Sequence, residues 1–192
     1  MDRPSNRSCL PQIFAAACRT PPTLFDYQVP ARRHPSFLHQ EHTMSTTLTP
    51  YLAFDGNTRE VFRFYEHALG AKIQTMMTFA DMPKDAMPAA EGCEGGMPGG
   101  DAIMHACLLL PGGAMLFAGD RPPGTPYEGV KGAMLALQYD TVDQAQSAFH
   151  PLAQSGKVTM PLGPTFWTKI FGMLTDRFGV SWAVNGDPIP VH

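Results

Sequence analysis

The chain has 192 residues, 44% hydrophobic and 16% charged, enough apolar material for one domain or two small modules with a buried core. Its formal charge of −3, with neither a Lys/Arg stripe nor an acidic block, argues against nucleic acid and anionic membranes and leaves a small molecule as the expected partner. Four cysteines (Cys9, Cys18, Cys93, Cys107) show no paired spacing, which speaks against a disulfide framework or structural zinc site and predicts a reducing, cytoplasmic location.

The apolar runs, longest at 13–18 and 107–110, fall far short of the roughly 20 residues of a membrane span. Residues 1–43 differ in texture from the rest. Six prolines from Pro4 to Pro35 break any periodicity, and Arg32, Arg33, His34, His39 and His42 crowd the end, which predicts a disordered extension. Its apolar stretch at 13–18 is too short and too poorly flanked for a secretory signal, and an Arg- and Ser-bearing organelle leader is the alternative. The simpler expectation is a start at Met44, since a strand pattern follows at once.

The run LTPYLAF at 48–54 is short and aromatic and ends in Asp55-Gly56-Asn57, a strand followed by a turn. Asn57 is the expected cap of a helix, with Glu60 in the reciprocal position and Val61, Phe64, Tyr65, Ala68 and Leu69 on one face. Gly70 closes it. Residues 71–79 suit a second strand, and 103–110 with 114–118 form a hairpin across Pro111-Gly112-Gly113. The stretch 81–100 is a long Met, Pro and Gly loop of the kind used as lids or binding loops.

The order then repeats. Residues 132–139 read as a strand, and Thr141 with Gln144 caps a helix whose buried face is Val142, Ala145, Phe149 and Leu152. Ser155-Gly156 ends it. Strands follow at 157–160, 166–175 and 180–185, the last two joined by the turn Asp176-Arg177-Phe178-Gly179. The fold class is therefore α+β, two βαβββ modules at about 47–119 and 130–187 within a domain spanning 44–192. Each module leaves one apolar sheet face uncovered, so the two are expected to meet edge to edge or to swap across a dimer, with a ligand on the concave face.

PYLAFDGNTREVFRFYEHALGAK at 50–72, Gly92-Cys93 and Met97 in the loop, MHACL at 104–108 and TFWTKIFGMLTDRFGVSW at 165–182 together resemble the glyoxalase, bleomycin-resistance and ring-cleaving dioxygenase (vicinal oxygen chelate) superfamily. Within it they are most similar to the PhnB-like branch, labelled demethylubiquinone methyltransferase-like. The resemblance implies a glyoxalase-like paired-sheet fold and a homodimer. It also implies that a metal enzyme would carry His and Glu on the first and last strands of each module. The matching neighbourhoods, 49–52, 115–119, 133–135 and 182–184, hold no His, Glu or Asp, and apolar side chains cannot replace them. No cofactor is expected, and a divalent metal is disfavoured.

His105 alternates with Ile103, Cys107 and Leu109 on one strand face. It is a candidate general base, with a hydrogen-bonded structural histidine as the alternative. Cys107 reads as a small buried hydrophobe rather than a nucleophile, and Asp120 as a turn cap. Phe166 and Trp167 are expected to wall an apolar pocket completed by Tyr51, His105, Phe117 and Met173. Trp182 is assigned to the core, as is the Met and Phe set Met115, Phe117, Met134, Phe171 and Met173, with pocket lining as its other use. The expected function is binding of a small apolar or aromatic molecule. A glyoxalase-type lyase, isomerase or dioxygenase using a metal through His105 and Asp120 is the alternative. A methyltransferase-related activity is weaker still, because no glycine-rich strand-turn-helix for a nucleoside methyl donor is present.

Overall fold

The computed structural model describes residues 46–83, 99–124 and 126–190. The N-terminal extension and most of the 81–100 loop, including Cys93 and Met97, lie outside the described residues. Module one contains β1 (Tyr51–Phe54), α1 (Thr58–Leu69), β2 (Lys72–Thr78), β3 (Ile103–Leu109) and β4 (Met115–Asp120). Module two contains β5 (Leu135–Tyr139), α2 (Val142–Ala153), β6 (Lys157–Gly163), β7 (Thr168–Thr175) and β8 (Ser181–Pro188). The sheets have the matching orders β1-β4-β3-β2 and β5-β8-β7-β6, and in each the first strand of the module lies at one edge and pairs in parallel with the last. The expected α+β class with two βαβββ modules is the observed one.

The strand limits differ from the expectation in informative ways. β5 begins at Leu135 rather than near Gly132, whose positive φ of 75° breaks the extended run. β7 begins at Thr168, so Phe166 and Trp167 precede the strand. β6 and β8 run longer, to Gly163 and Pro188, because β7 supplies partners along their length.

α1 ends at Gly70 in the left-handed conformation, as its sequence predicts, but its start is built differently. Asn57 makes no side-chain cap, and Glu60 reaches toward Arg177 at 3.8 Å instead. The first turn is satisfied by Asp120, whose Oδ1 accepts from Thr58 N at 3.0 Å and Thr58 Oγ1 at 2.6 Å. Its Oδ2 accepts from Ile103 N at 2.7 Å. One carboxylate from the end of β4 therefore pins the start of α1 and the start of β3, favoured by the positive end of the helix dipole. α2 does use its local signal: Thr141 Oγ1 accepts from Gln144 N at 3.3 Å. At Gly186 an added Cβ would come within 2.6 Å of Ala145 Cβ, so a larger residue would push α2 off its sheet.

The modules meet through their helices, not edge to edge. α1 and α2 touch, and the buried Tyr65 of α1 packs edge-on against Trp182 of β8, ring centres 5.3 Å apart. Both rings donate to Asp176, Tyr65 Oη at 2.6 Å and Trp182 Nε1 at 2.8 Å, while the other carboxylate oxygen accepts from Phe178 N and Val180 N. Arg177 adds a second tie, its guanidinium lying over Phe64 at 4.4 Å and Phe178 at 4.7 Å. One apolar core runs through both modules, from Phe54 and Phe62 to Phe149 and Val184. Trp182 is part of it, as expected. The Met and Phe set is not: Met134 is exposed, and Met115, Phe117, Phe171 and Met173 are half-buried outside the core. They occupy the alternate strand positions, which point away from the helices.

Burial and the Asp176 carboxylate push the Tyr65 phenol far above its ordinary value, so it stays a donor across the working pH range. Replacing Tyr65 with Phe removes one hydrogen bond to a buried charge, a loss of about 1.5–3 kcal/mol. The expected result is a lower urea midpoint with an unchanged slope; an unshifted midpoint would show that Asp176 does not bind the modules through this ring.

Candidate functional site

Residues on alternate positions of a strand share a face, so the side of the first sheet turned from α1 carries Tyr51, Phe117, His105 and Cys107. The registers align them: Tyr51 opposite Phe117, Phe117 opposite Cys107, His105 opposite Met77. His105 is only 2% exposed. Its ring stacks on Tyr51, centres 5.9 Å apart at 27°, and meets Phe117 edge-on at 5.0 Å. Tyr51 Oη donates to Met104 O at 3.2 Å. This approach depends on Gly119, where a Cβ would come within 2.6 Å of both Met104 O and Tyr51 Oη. Ile103 departs from its expected place in the His105 row. A register shift between Met77 and Thr78 turns it into the core, beside the groove along α1.

The titratable groups here are held neutral. Burial lowers the His105 imidazole below its ordinary range. Burial, with the Asp120 carboxylate second, pushes the Tyr51 phenol up to about 12. Near pH 7 the cup thus offers a neutral imidazole and a phenol fixed as donor, an apolar surface able to take or give one proton at the ring nitrogens. Cys107 is fully buried, which suits the small-hydrophobe reading.

The second sheet repeats the arrangement on the side turned from α2. Trp167 (38% exposed) meets Phe166 (79%) at 4.7 Å between ring centres and 81° between planes, and Phe171 at 5.5 Å and 66°. Trp167 Nε1 donates to Asn185 Oδ1 at 3.2 Å. Met173 lies on the same face, opposite Met160. The six predicted ligand-binding residues therefore gather into two groups, Tyr51, His105 and Phe117 on one sheet and Phe166, Trp167 and Met173 on the other. Within one chain the helices lie between them and the two faces turned from the helices point apart. Phe171 and Asn185 join the second group without having been expected there. Asn185 was detectable as a polar residue inside the apolar run of β8.

Asp120 lies on the α1 side of the first sheet and His105 on the opposite side, so the two cannot share a metal. On the faces turned from the helices, β1, β4, β5 and β8 carry Tyr51, Ala53, Met115, Phe117, Gly119, Ala136, Gln138, Ser181, Ala183, Asn185 and Asp187, and the one carboxylate among them, Asp187, is paired with Lys169. Among the described residues no three His, Cys, Asp or Glu side chains come together. This donor set does not fit a divalent metal, which needs imidazole, thiolate or carboxylate ligands. A groove of about 520 Å³ does occur along α1, lined by Arg59, Arg63, His67 and Arg177 among others, but it contains none of the predicted ligand-binding residues.

The model of the Glyoxalase/Bleomycin resistance protein/Dioxygenase superfamily matches residues 40–184. The chain belongs to this superfamily. Protein YjdN of Escherichia coli is 37% identical over 139 residues, covering 72% of this chain and 93% of its own. Among solved structures, protein PA1353 from Pseudomonas aeruginosa is similar at 44% identity with TM-score 0.63, over 74% of this chain and 98% of its own. The PhnB protein from Bacillus cereus, described as a candidate 3-demethylubiquinone-9 3-methyltransferase, is similar at 26% identity and TM-score 0.56, over 73% and 99%. The glyoxalase-superfamily resemblance read from the sequence, with PhnB-like relatives, is thereby confirmed. Among the described residues no helix is long and apolar enough to cross a membrane.

The depressed His105 value has a stability consequence. The unfolded chain takes up this proton near pH 6.5 while the folded protein resists it, so stability declines as pH drops below about 6.5. Between about pH 7.5 and about pH 5.5 the urea midpoint of the wild type is expected to fall further than that of His105→Gln. Equal losses in the two proteins would contradict a buried neutral imidazole.

Proposed function

We propose that this superfamily member binds a small aromatic or apolar molecule without a resident metal, as a homodimer in which the Tyr51–His105–Phe117 cup of one protomer faces the Trp167 surface of its partner. The observation that carries this reading is the separation of the two groups. Each has the aromatic area and scarcity of charge of a ligand wall, and within one chain they point apart. A second copy related by a two-fold axis brings unlike faces together twice, giving two equal sites. It also covers Phe166, Met160 and Met134, whose exposure of 41–79% is unusual for large apolar side chains gathered on one sheet.

In such a site the ligand gains apolar burial and offset stacking. His105 supplies the group able to accept a proton or to orient a carbonyl, held in place by Tyr51 and Phe117 on two sides. Sequestration without chemistry needs no more than this. A proton transfer by His105 is the step this geometry supports if the bound molecule carries an acidic C–H or O–H. A metal-dependent lyase, isomerase or dioxygenase reading has no donor set among the described residues. A methyltransferase reading rests on the description of the Bacillus cereus relative alone.

Sedimentation is expected to give a dimer, and an aromatic ligand to quench Trp167 fluorescence. His105→Ala and Trp167→Ala homodimers each lose binding by roughly tenfold or more, the loss of a central aromatic contact. The co-expressed heterodimer of the two variants regains one wild-type site per dimer. A monomer in solution, or a heterodimer that binds no better than its parents, overturns the shared-site reading. Elemental analysis of untagged protein with stoichiometric zinc, nickel, manganese or iron overturns the metal-free one.

A further inference from the structure

The open face of the second sheet has a feature that an apolar binding surface does not require. Gln138 on β5 and Asn185 on β8 are register partners in the parallel ladder, and Asn185 is in turn the partner of Phe171 on β7. Register partners point to the same side, and neighbouring strands lie about 4.8 Å apart. Two carboxamides therefore stand side by side in one row with the Phe171 ring, against the edge of Trp167. The next row is Ala136, Ala183, Met173 and Met160, small or soft side chains that leave a shallow apolar floor.

The state of the two amides is unequal. Asn185 uses its Oδ1 to accept from Trp167 Nε1, which fixes both the indole plane and the orientation of the amide, leaving its NH₂ directed elsewhere. Gln138 is exposed. Among the described residues neither the Gln138 side chain nor the Asn185 NH₂ has a hydrogen-bond partner. The next positions along β7 and β8 on this face, Lys169 and Asp187, neutralise one another at 2.8 Å. The row thus presents donors and acceptors carrying no net charge beside an aromatic platform. That combination favours neither a hydrocarbon, which would strand the amides in a dry interface, nor an ion, which would find no countercharge.

We infer that Gln138 and Asn185 form a carboxamide subsite that takes the hydrogen-bonding edge of an uncharged planar ring, such as an aromatic amide or a lactam-bearing heterocycle, while its face rests on Trp167. Asn185 is a positioning residue for the indole as well as a ligand contact, and Gln138 is the specificity residue. This deepens the reading of the site as a small-molecule pocket and depends on it.

The test compares two probes that share a ring and differ in the edge: benzamide and toluene, titrated against full-length protein by tryptophan fluorescence, with Trp167→Phe identifying the quench that belongs to Trp167. The wild type is expected to bind benzamide about tenfold more tightly than toluene, the worth of one to two net hydrogen bonds. In Gln138→Met, which keeps the side-chain length on an exposed position, toluene binding is retained and the preference falls to about twofold or less. In Asn185→Leu the preference is lost as well, and the Trp167 emission shifts because the indole is released. Equal binding of the two probes by the wild type, or a preference that survives both substitutions, overturns the carboxamide subsite while leaving the apolar pocket standing. If neither probe quenches Trp167 in the wild type, the pocket reading fails and this inference fails with it.

Discussion

Asp176 is the constraint on which the rest of the molecule depends. A carboxylate buried to 4% exposure is expensive unless its lone pairs are filled, and here four donors fill them: two backbone amides of its own turn, one phenol from module one and one indole from module two. No cation takes part in this set. The backbone donors shape the β7–β8 turn, and the side-chain donors lock α1 of one module to β8 of the other. Because the lock lies on the helix side of both sheets, each sheet buries its helix-facing residues in the shared core and turns its opposite face away from the other module.

Asp120 performs the corresponding task inside module one. It binds the first turn of α1 and the first amide of β3 with three hydrogen bonds, so the two most buried carboxylates of the described chain are both engaged in structure. Apart from the Lys169–Asp187 ion pair, the faces turned from the helices carry neutral groups: a depressed imidazole, a raised phenol, indole, amides and thioethers.

Local patterns made much of this legible. The 3.6-residue periodicity of 58–69, closed by Gly70, and the Thr141-x-x-Gln144 signal each describe a structure that a few consecutive residues decide for themselves. The period-2 pattern likewise put His105 and Cys107 on one side of a strand. The failures share a different origin. Asn57 looks like the cap of α1, but the donor groups of Thr58 in that turn are taken by Asp120, 62 residues from Thr58, and a short-range rule cannot weigh a long-range acceptor. Ile103 left its expected row because β2 and β3 slip register at one point, a property of two strands and not of one. Phe117, Phe171 and Met173 were assigned first to the core because apolar residues on both faces of a strand give no indication of which face the helix covers.

By itself the sequence determined the elements, their order and the repeat of the βαβββ unit, since helix and strand periodicity, caps and turn residues act over a few positions. Only the tertiary structure decided how the two units meet. The buried Asp176 lock draws the helices together between the sheets, and that placement, not any property of a single strand, turns Tyr51, His105 and Phe117 away from Trp167 and sets Gln138 beside Asn185. Lateral neighbours in a sheet are fixed by pairing between distant segments, and pairing is settled by the free energy of the whole core rather than by the residues that finally stand side by side.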